Sequence, residues 1–445
     1  MKLTLILFFS VFTVTGQNIK GTILDTETNS PLENVNVYLK REEKGAVSNE
    51  KGEFNLKLQS KVNPTETIRF SIIGYATKNY TFSKLKELNF IVYLSKKIEN
   101  LNEVTIASKR DLKLKISYKI LTQLKKGAYN FGSTLIGHKI YVIGGDESHI
   151  EDTAKRALVE SLSLGEFLKK LKTNFNWEKY SGNLRMYNIE NDTWLTSNAK
   201  FNERAYHKIS CFNNKLYVFG GKTLSTNRKR EYLDDKIEVF DLKTQQIIID
   251  NTNPHQAINF AAFAYQDNII VMGGSIKLKN NGEKIYSDKS HLYNITSGYW
   301  YELPKMTKAK EVNGIIIKSK TYLIGGFNNY PLTEIESYDL ITEKWEKEGD
   351  LFYGIENPAL TYHNDTIYIF NEDKIMTYNI KTRILNEYKI DLNIKNAQIH
   401  YYKNNLYIVG GIIEDYYSKT PSSGLYSINL NEFYKTKIIK SKKIN

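Results

Sequence analysis

Cysteine is nearly missing from this chain. Cys211 is the only one in 445 residues, so no intramolecular disulfide can form and a cysteine-rich zinc site is excluded. Proline is scarce, with 7 residues against 32 Tyr and 20 Phe. That balance favours β-structure, where aromatic rings fit a pleated, half-buried surface. Long apolar runs are lacking beyond the first residues. No later segment approaches the ~18 continuous apolar residues of a membrane-spanning helix. Acidic residues are outnumbered, 49 Asp and Glu against 62 Lys and Arg, for a formal net charge of +13. Such a charge attracts nucleic acid, anionic lipid or acidic glycans when it is clustered. Here the basic residues are scattered and no basic stripe is interleaved with stacking aromatics, so a solvated basic surface is expected and nucleic acid is not. Hydrophobic residues at 41% and charged residues at 25% make an ordinary globular balance, and the length suits two to four domains.

The N-terminus points to export. Met1-Lys2 is a short positive start, Leu3 to Val14 is apolar, and Thr15-Gly16-Gln17 follows with small and polar residues. This pattern predicts a secretory signal peptide over 1–17, cut near Gly16 or Gln17. Its apolar run is too short to span a bilayer, so no integral membrane segment is expected after cleavage.

Residues 18–95 alternate short apolar strands with turn chemistry. Strands are predicted at 19–25, 34–39, 54–58, 68–72 and 91–94, with period-2 alternation and a turn at Asn49-Glu50-Lys51-Gly52. We expect a small antiparallel sandwich. Gly21…Asp25, Pro31-Leu32…Asn34-Val35…Val37, Ser48-Asn49…Gly52…Phe54 and Ile73-Gly74-Tyr75 resemble the carboxypeptidase-regulatory-like domain, a prealbumin-like module. Leu101-Asn102-Glu103-Val104, in an expected linker over 96–112, resembles the tail that follows this module in exported bacterial proteins. The resemblance implies an accessory module without peptidase activity.

The remainder, 113–440, is a repeat. Gly-Gly pairs close apolar strands at Gly144-Gly145, Gly220-Gly221, Gly273-Gly274, Gly325-Gly326 and Gly410-Gly411, with a degenerate sixth copy at Asn371-Glu372. A second signature follows each pair. Tyr187, Tyr293 and Tyr338 lead seven positions on to Trp194, Trp300 and Trp345, and Phe240, Tyr378 and Tyr426 keep the spacing with Ile247, Leu385 and Phe433 in the Trp slot. Internal periods of about 40–50 residues indicate a propeller. These motifs resemble the kelch family, which implies six blades of four strands around a central channel. The Tyr and Trp residues are expected to pack between blades. Residues 113–121 are a candidate outer strand for the last blade.

Aligning the copies gives a polar column at the start of the innermost strands: Asn130, Tyr206, Asn259, Glu311, Asn357 and Asn396. In a propeller these positions face one mouth of the channel and are our candidate ligand-binding residues. Loop lengths point to the same face, because blade 1 carries an insertion, 146–182, with one or two amphipathic helices. The blade 2 loop is basic (Lys222, Arg228, Lys229, Arg230) and is a candidate for an anionic ligand.

Chemistry is less apparent. The seven His residues form no close-spaced ligand pair, and Cys211 falls in an apolar column, so no metal or other cofactor is expected. The exported N-acetylneuraminate mutarotases are another kelch group that the chain resembles in size, and their use of a carboxylate and an Arg at the mouth makes Glu311 and Arg204 an alternative catalytic pair for sugar-ring isomerisation. We therefore expect an all-β, exported, non-catalytic binding or scaffold protein of the periplasm or outer-membrane periphery of a Gram-negative bacterium. Its mouth face is expected to take a protein or a glycan.

Overall fold

The computed structural model describes residues 17–39, 41, 44–96, 112–172, 175–228, 230–250, 253–278 and 283–444. Residues 1–16 of the expected signal peptide and nearly all of the expected linker lie outside the described residues. The chain divides into two compact units, 1–110 and 111–445.

The first unit is a sandwich of a three-stranded and a four-stranded sheet. One runs Glu53–Leu58, Gln17–Asp25, Ile91–Leu94; the other runs Lys44–Val47, Asn36–Leu39, Thr67–Ser71, Lys78–Thr81. Alternation sets the inward faces: Phe54, Leu56 and Leu58 point in while their neighbours face water. Ile23, Val37, Phe70, Leu85 and Val92 complete a fully buried core. The all-antiparallel expectation needs correcting. Gln17–Asp25 pairs in parallel with Ile91–Leu94. A parallel neighbour requires a crossover, and helix α1, Phe82–Glu87, lies in the connection that returns the chain to the first sheet.

Among the described residues, the second unit contains seven four-stranded sheets, six of them blades and one at the rim. In blade 1 the strands are Gly132–Ile136, Lys139–Ile143, Asn183–Asn188 and Thr193–Lys200, all antiparallel. The innermost strands of the others are Lys208–Phe212, Ala261–Tyr265, Glu311–Ile317, Ala359–His363 and Gln398–Tyr402. Each lies against the next, and Gln398–Tyr402 returns to Gly132–Ile136, so the ring closes. Lys119–Ile120 forms the outer strand of blade 6. Lys440–Lys443 adds a strand to blade 5 and runs past the expected boundary at 440.

Six apolar clusters fill the spaces between successive blades. Tyr187, Tyr293 and Tyr338 are buried in them, as the repeat implies. Trp194, Trp300 and Trp345 lie against these tyrosines at ring separations of 5.2, 4.9 and 4.9 Å, but are themselves only half-buried, at the cluster margins.

Each innermost strand runs away from one mouth, turns, and returns as the second strand to end at the Gly-Gly position. Both glycines take positive φ; in blade 4 they stand at 60° and 117°. A Cβ on Gly326 would fall 2.4 Å from the Glu311 carbonyl oxygen. Only glycine combines that backbone with that approach. The loops after the Gly-Gly pairs therefore open on the mouth where the polar column begins.

Candidate functional site

The mouth holds a cavity of about 430 Å³ lined by Asn130, Tyr206, Asn259, Asn357 and Asn396, which are five of the six column residues. The backbone explains much of the asparagine. Asn130, Asn259 and Asn396 have φ of 47°, 51° and 50°, the left-handed region that asparagine tolerates best among side-chain-bearing residues. Tyr206 shares it at 64°. The Tyr206 N–H donates to the Asn130 carbonyl at 2.7 Å and the Val312 N–H to the Asn259 carbonyl at 2.9 Å, tying blade 1 to blade 2 and blade 3 to blade 4 at the rim.

That pattern corrects the column. Val312 is the blade 4 counterpart of Tyr206, and Glu311 lies one position earlier. The register of strand Glu311–Ile317 shifts between Glu311 and Asn313, which hid the offset. Glu311 belongs instead with the residues that face the position just after each Gly-Gly pair, as its pairing with Phe327 shows. Tyr129 and Lys395 hold this place in blades 1 and 6, facing Asp146 and Ile412. Ile355 accepts from the Gly326 N–H as Arg204 does from Gly145, so Glu356 takes the place in blade 5. Charge is thus concentrated on blades 4 to 6.

Glu311 does not line the cavity. It is 1% exposed, and its carboxylate accepts from Ser275 Oγ at 2.6 Å, Lys284 Nζ at 2.9 and 3.0 Å and Asn259 Nδ2 at 3.2 Å. Lys395 sits between Glu372 and Glu414, 3.2 Å from each, and Lys419 pairs with Glu414 at 2.8 Å. Glu372 occupies the second place of the degenerate Gly-Gly copy, at φ 55°, so a broken repeat motif puts an acid into the wall. Three lysines thus face Glu311, Glu372 and Glu414, and a fourth carboxylate, Glu356, has no ion-pair partner among the described residues. Burial among the mouth residues, with Glu311 and Glu414 nearby, pushes the Glu356 carboxyl above its ordinary range.

Arg204 is elsewhere. Its guanidinium is wholly buried, 2.6 Å from Glu238 and 3.2 Å from Asp234, and it donates to the carbonyls of Gly220 and Lys236. Glu311 and Arg204 are each held by other partners, so the structure does not assemble the alternative catalytic pair. In the blade 2 loop, Lys222 pairs with Glu231 at 2.6 Å and Arg228 donates to the Glu178 carbonyl; Lys229 lies outside the described residues. Cys211 is half-buried on an inner strand, and burial raises its thiol pKa.

The rim carries small sheets of its own. Blade 6 supplies Ile412–Glu414 and Ser418–Pro421, and blade 1 supplies His149–Glu151 and Phe175–Trp177, joined through Ile150 and Lys419. Two helices follow from this edge. Helix α2, Thr153–Glu160, is capped by Asp152, whose own N–H donates to the Tyr417 carbonyl. Helix α3, Leu164–Lys170, is capped by Ser163. Leu158, Leu162, Leu164 and Leu168 project into solvent at 67%, 98%, 73% and 60% exposure.

Residues 19–106 match the CarboxypepD_reg-like domain family, and residues 172–371 match the KLHDC2/KLHL20/DRC7 Kelch-repeats domain family. The chain carries kelch repeats behind a CarboxypepD_reg-like domain. It is similar to human Kelch repeat and BTB domain-containing protein 12, 24% identical over 37% of this chain and 28% of that protein. Spermatocyte protein spe-26 of Caenorhabditis elegans is 24% identical over 42% of the chain and 32% of its own length. Kelch-like protein 40 of Xenopus tropicalis is 25% identical over 42% and 29%. The chain thus matches about a third or less of each of these curated relatives, through its kelch repeats.

Proposed function

We propose that this protein is a non-catalytic scaffold that binds a protein partner through the mouth face of its propeller. The α2–α3 ridge is the observation that carries this. Four leucines exposed on two adjoining short helices and the turn between them, beside a polar cavity, form the apolar patch with a polar border that marks protein interaction sites. The similarity to other kelch-repeat proteins supports a scaffold role. The unpaired Glu356 favours a partner that presents a lysine or arginine, and the charge balance of the mouth disfavours an anionic one.

The test is site-specific photo-crosslinking in the native cell. A crosslinker at Leu162 or Leu168 should trap a discrete protein, and one at Asn213 or Asn364, on the turns at the far face, should not. Equal labelling from both faces, or a glycan as the only ligand recovered from an array, would reject the assignment. We further propose that the chain is exported and acts in the bacterial envelope, on the strength of the N-terminal pattern. N-terminal sequencing of protein from the envelope fraction should begin near Gln17; an intact Met1 on cytoplasmic protein would reject export.

A further inference from the structure

Below the mouth the same inner strands enclose a second cavity, of about 270 Å³. Asn396 lines the upper cavity and Gln398 the lower; Asn357 and Leu360, and Asn259 and Ala262, are divided in the same way. Two to three residues at about 3.3 Å each place the second chamber roughly 7–10 Å deeper along the channel.

Its lining has one cationic group, Lys208, and no carboxylate. That sets the half-buried Lys208 apart from the buried cations of the propeller. Arg204 has Asp234 and Glu238, Lys310 has Glu336, and Arg185 has Glu147. An enclosed ammonium without a counter-charge is costly, and proteins ordinarily supply a paired acid. Among the described residues, the one side-chain hydrogen bond of Lys208 is to a neutral group, Asn313 Oδ1, at 3.0 Å. Asn313 Oδ1 has no capacity to spare, because it also accepts from the Gly314 N–H, while Nδ2 gives one of its two protons to the Pro358 carbonyl. Two protons of the ammonium are therefore left for something in the chamber.

The rest of the lining suits an anion. Ser133 Oγ and His400 Nε2 lie 2.6 Å apart and satisfy each other. Burial holds the His400 pKa near 4, so this pair is neutral at physiological pH and adds no competing charge. The Gln398 amide and the Thr361 hydroxyl, also in the lining, have no hydrogen-bond partner among the described residues. Burial alone draws the Lys208 ammonium down to about 8, which still leaves it charged at neutral pH.

We infer that this chamber is a binding site for a small oxyanion, a carboxylate or a sulfate-like group, held by Lys208 with Gln398 and Thr361 beside it. The site is separate from the mouth and does not depend on the proposed protein partner. A bound oxyanion supplies the missing counter-charge and turns the ammonium bond into a charge-assisted one. The volume admits such a group with a few waters.

The probes are acetate and sulfate, titrated against chloride at constant ionic strength. In the wild-type full chain either probe should slow reductive methylation of Lys208, read by peptide mass spectrometry, at least about 5-fold. Lys284 and Lys395, already paired with acids at the mouth, should be far less protected. Calorimetric Kd for the better probe should rise at least about 10-fold in Lys208→Met and several-fold in Gln398→Leu, and stay within about 2-fold in Lys243→Gln, on an exposed turn at the far face. If Lys208→Met does not fold, the methylation result on the wild type decides alone. Absence of protection at Lys208, or equal affinity in Lys208→Met and wild type, would overturn the site.

Discussion

Replacing Arg204 by Ala separates a structural role from a catalytic one. The side chain is 0% exposed and neutralises Glu238 and Asp234, each 4% exposed. Both carboxylates keep lesser contacts, since the Asn202 N–H donates to Glu238 and the Asn202 amide to Asp234. No second cation stands within pairing distance of either among the described residues. Removing one partner of a buried pair leaves an uncompensated charge, and here the same guanidinium also serves the Gly220 and Lys236 carbonyls. Arg204→Ala should therefore cost about 3–5 kcal/mol. All four tryptophans, Trp177, Trp194, Trp300 and Trp345, lie in the second unit. Denaturant unfolding of the full chain followed by tryptophan fluorescence thus reports the propeller without the sandwich. The double variant Arg204→Met/Glu238→Leu should recover part of the loss, because it removes both charges together. An Arg204→Ala protein within about 1 kcal/mol of wild type would refute the assignment of this residue to the core and reopen a role at the mouth.

Two further outcomes follow from the propeller. Trp300→Ala should cost about 2–3 kcal/mol by the same assay, below the cost of a fully buried ring, because this one is half-exposed against Tyr293. Gly326→Ala should cost about 2–4 kcal/mol, since a Cβ meets the Glu311 carbonyl at a backbone that side chains rarely adopt; a neutral result in chemical denaturation would mean the rim relaxes freely there.

The propeller was legible because its signals repeat. One Gly-Gly pair or one Tyr–Trp spacing says little, whereas five and three copies in register fix strand, turn and blade together. The sandwich strands were equally visible as alternation, but the parallel pairing of Gln17–Asp25 with Ile91–Leu94 was not, since a strand's pattern does not encode which neighbour it meets. At the site, the asparagines of the column could be read from sequence, but the left-handed backbone that selects them at 130, 259 and 396 could not. Glu311 was misassigned by one residue because its strand changes register. Glu372 was visible only as a failed Gly-Gly copy. Lys208 is one of many lysines until the ring closes around it and shows that no acid faces it.

The most direct test of the mouth as a protein-binding surface is a peptide display selection on the full chain, repeated with Glu356→Gln. The wild type should enrich peptides with a lysine or arginine beside apolar residues. Glu356→Gln should weaken the selected peptides at least about 10-fold without loss of stability, because it removes an unpaired and partly desolvated charge. Binding a cation requires the ionised carboxyl, and the Glu356 pKa is raised. Affinity should therefore fall on acidification through a range above the ordinary carboxylate pKa. Enrichment of acidic peptides, or binding indifferent to Glu356 and to pH, would contradict the mouth as the binding face.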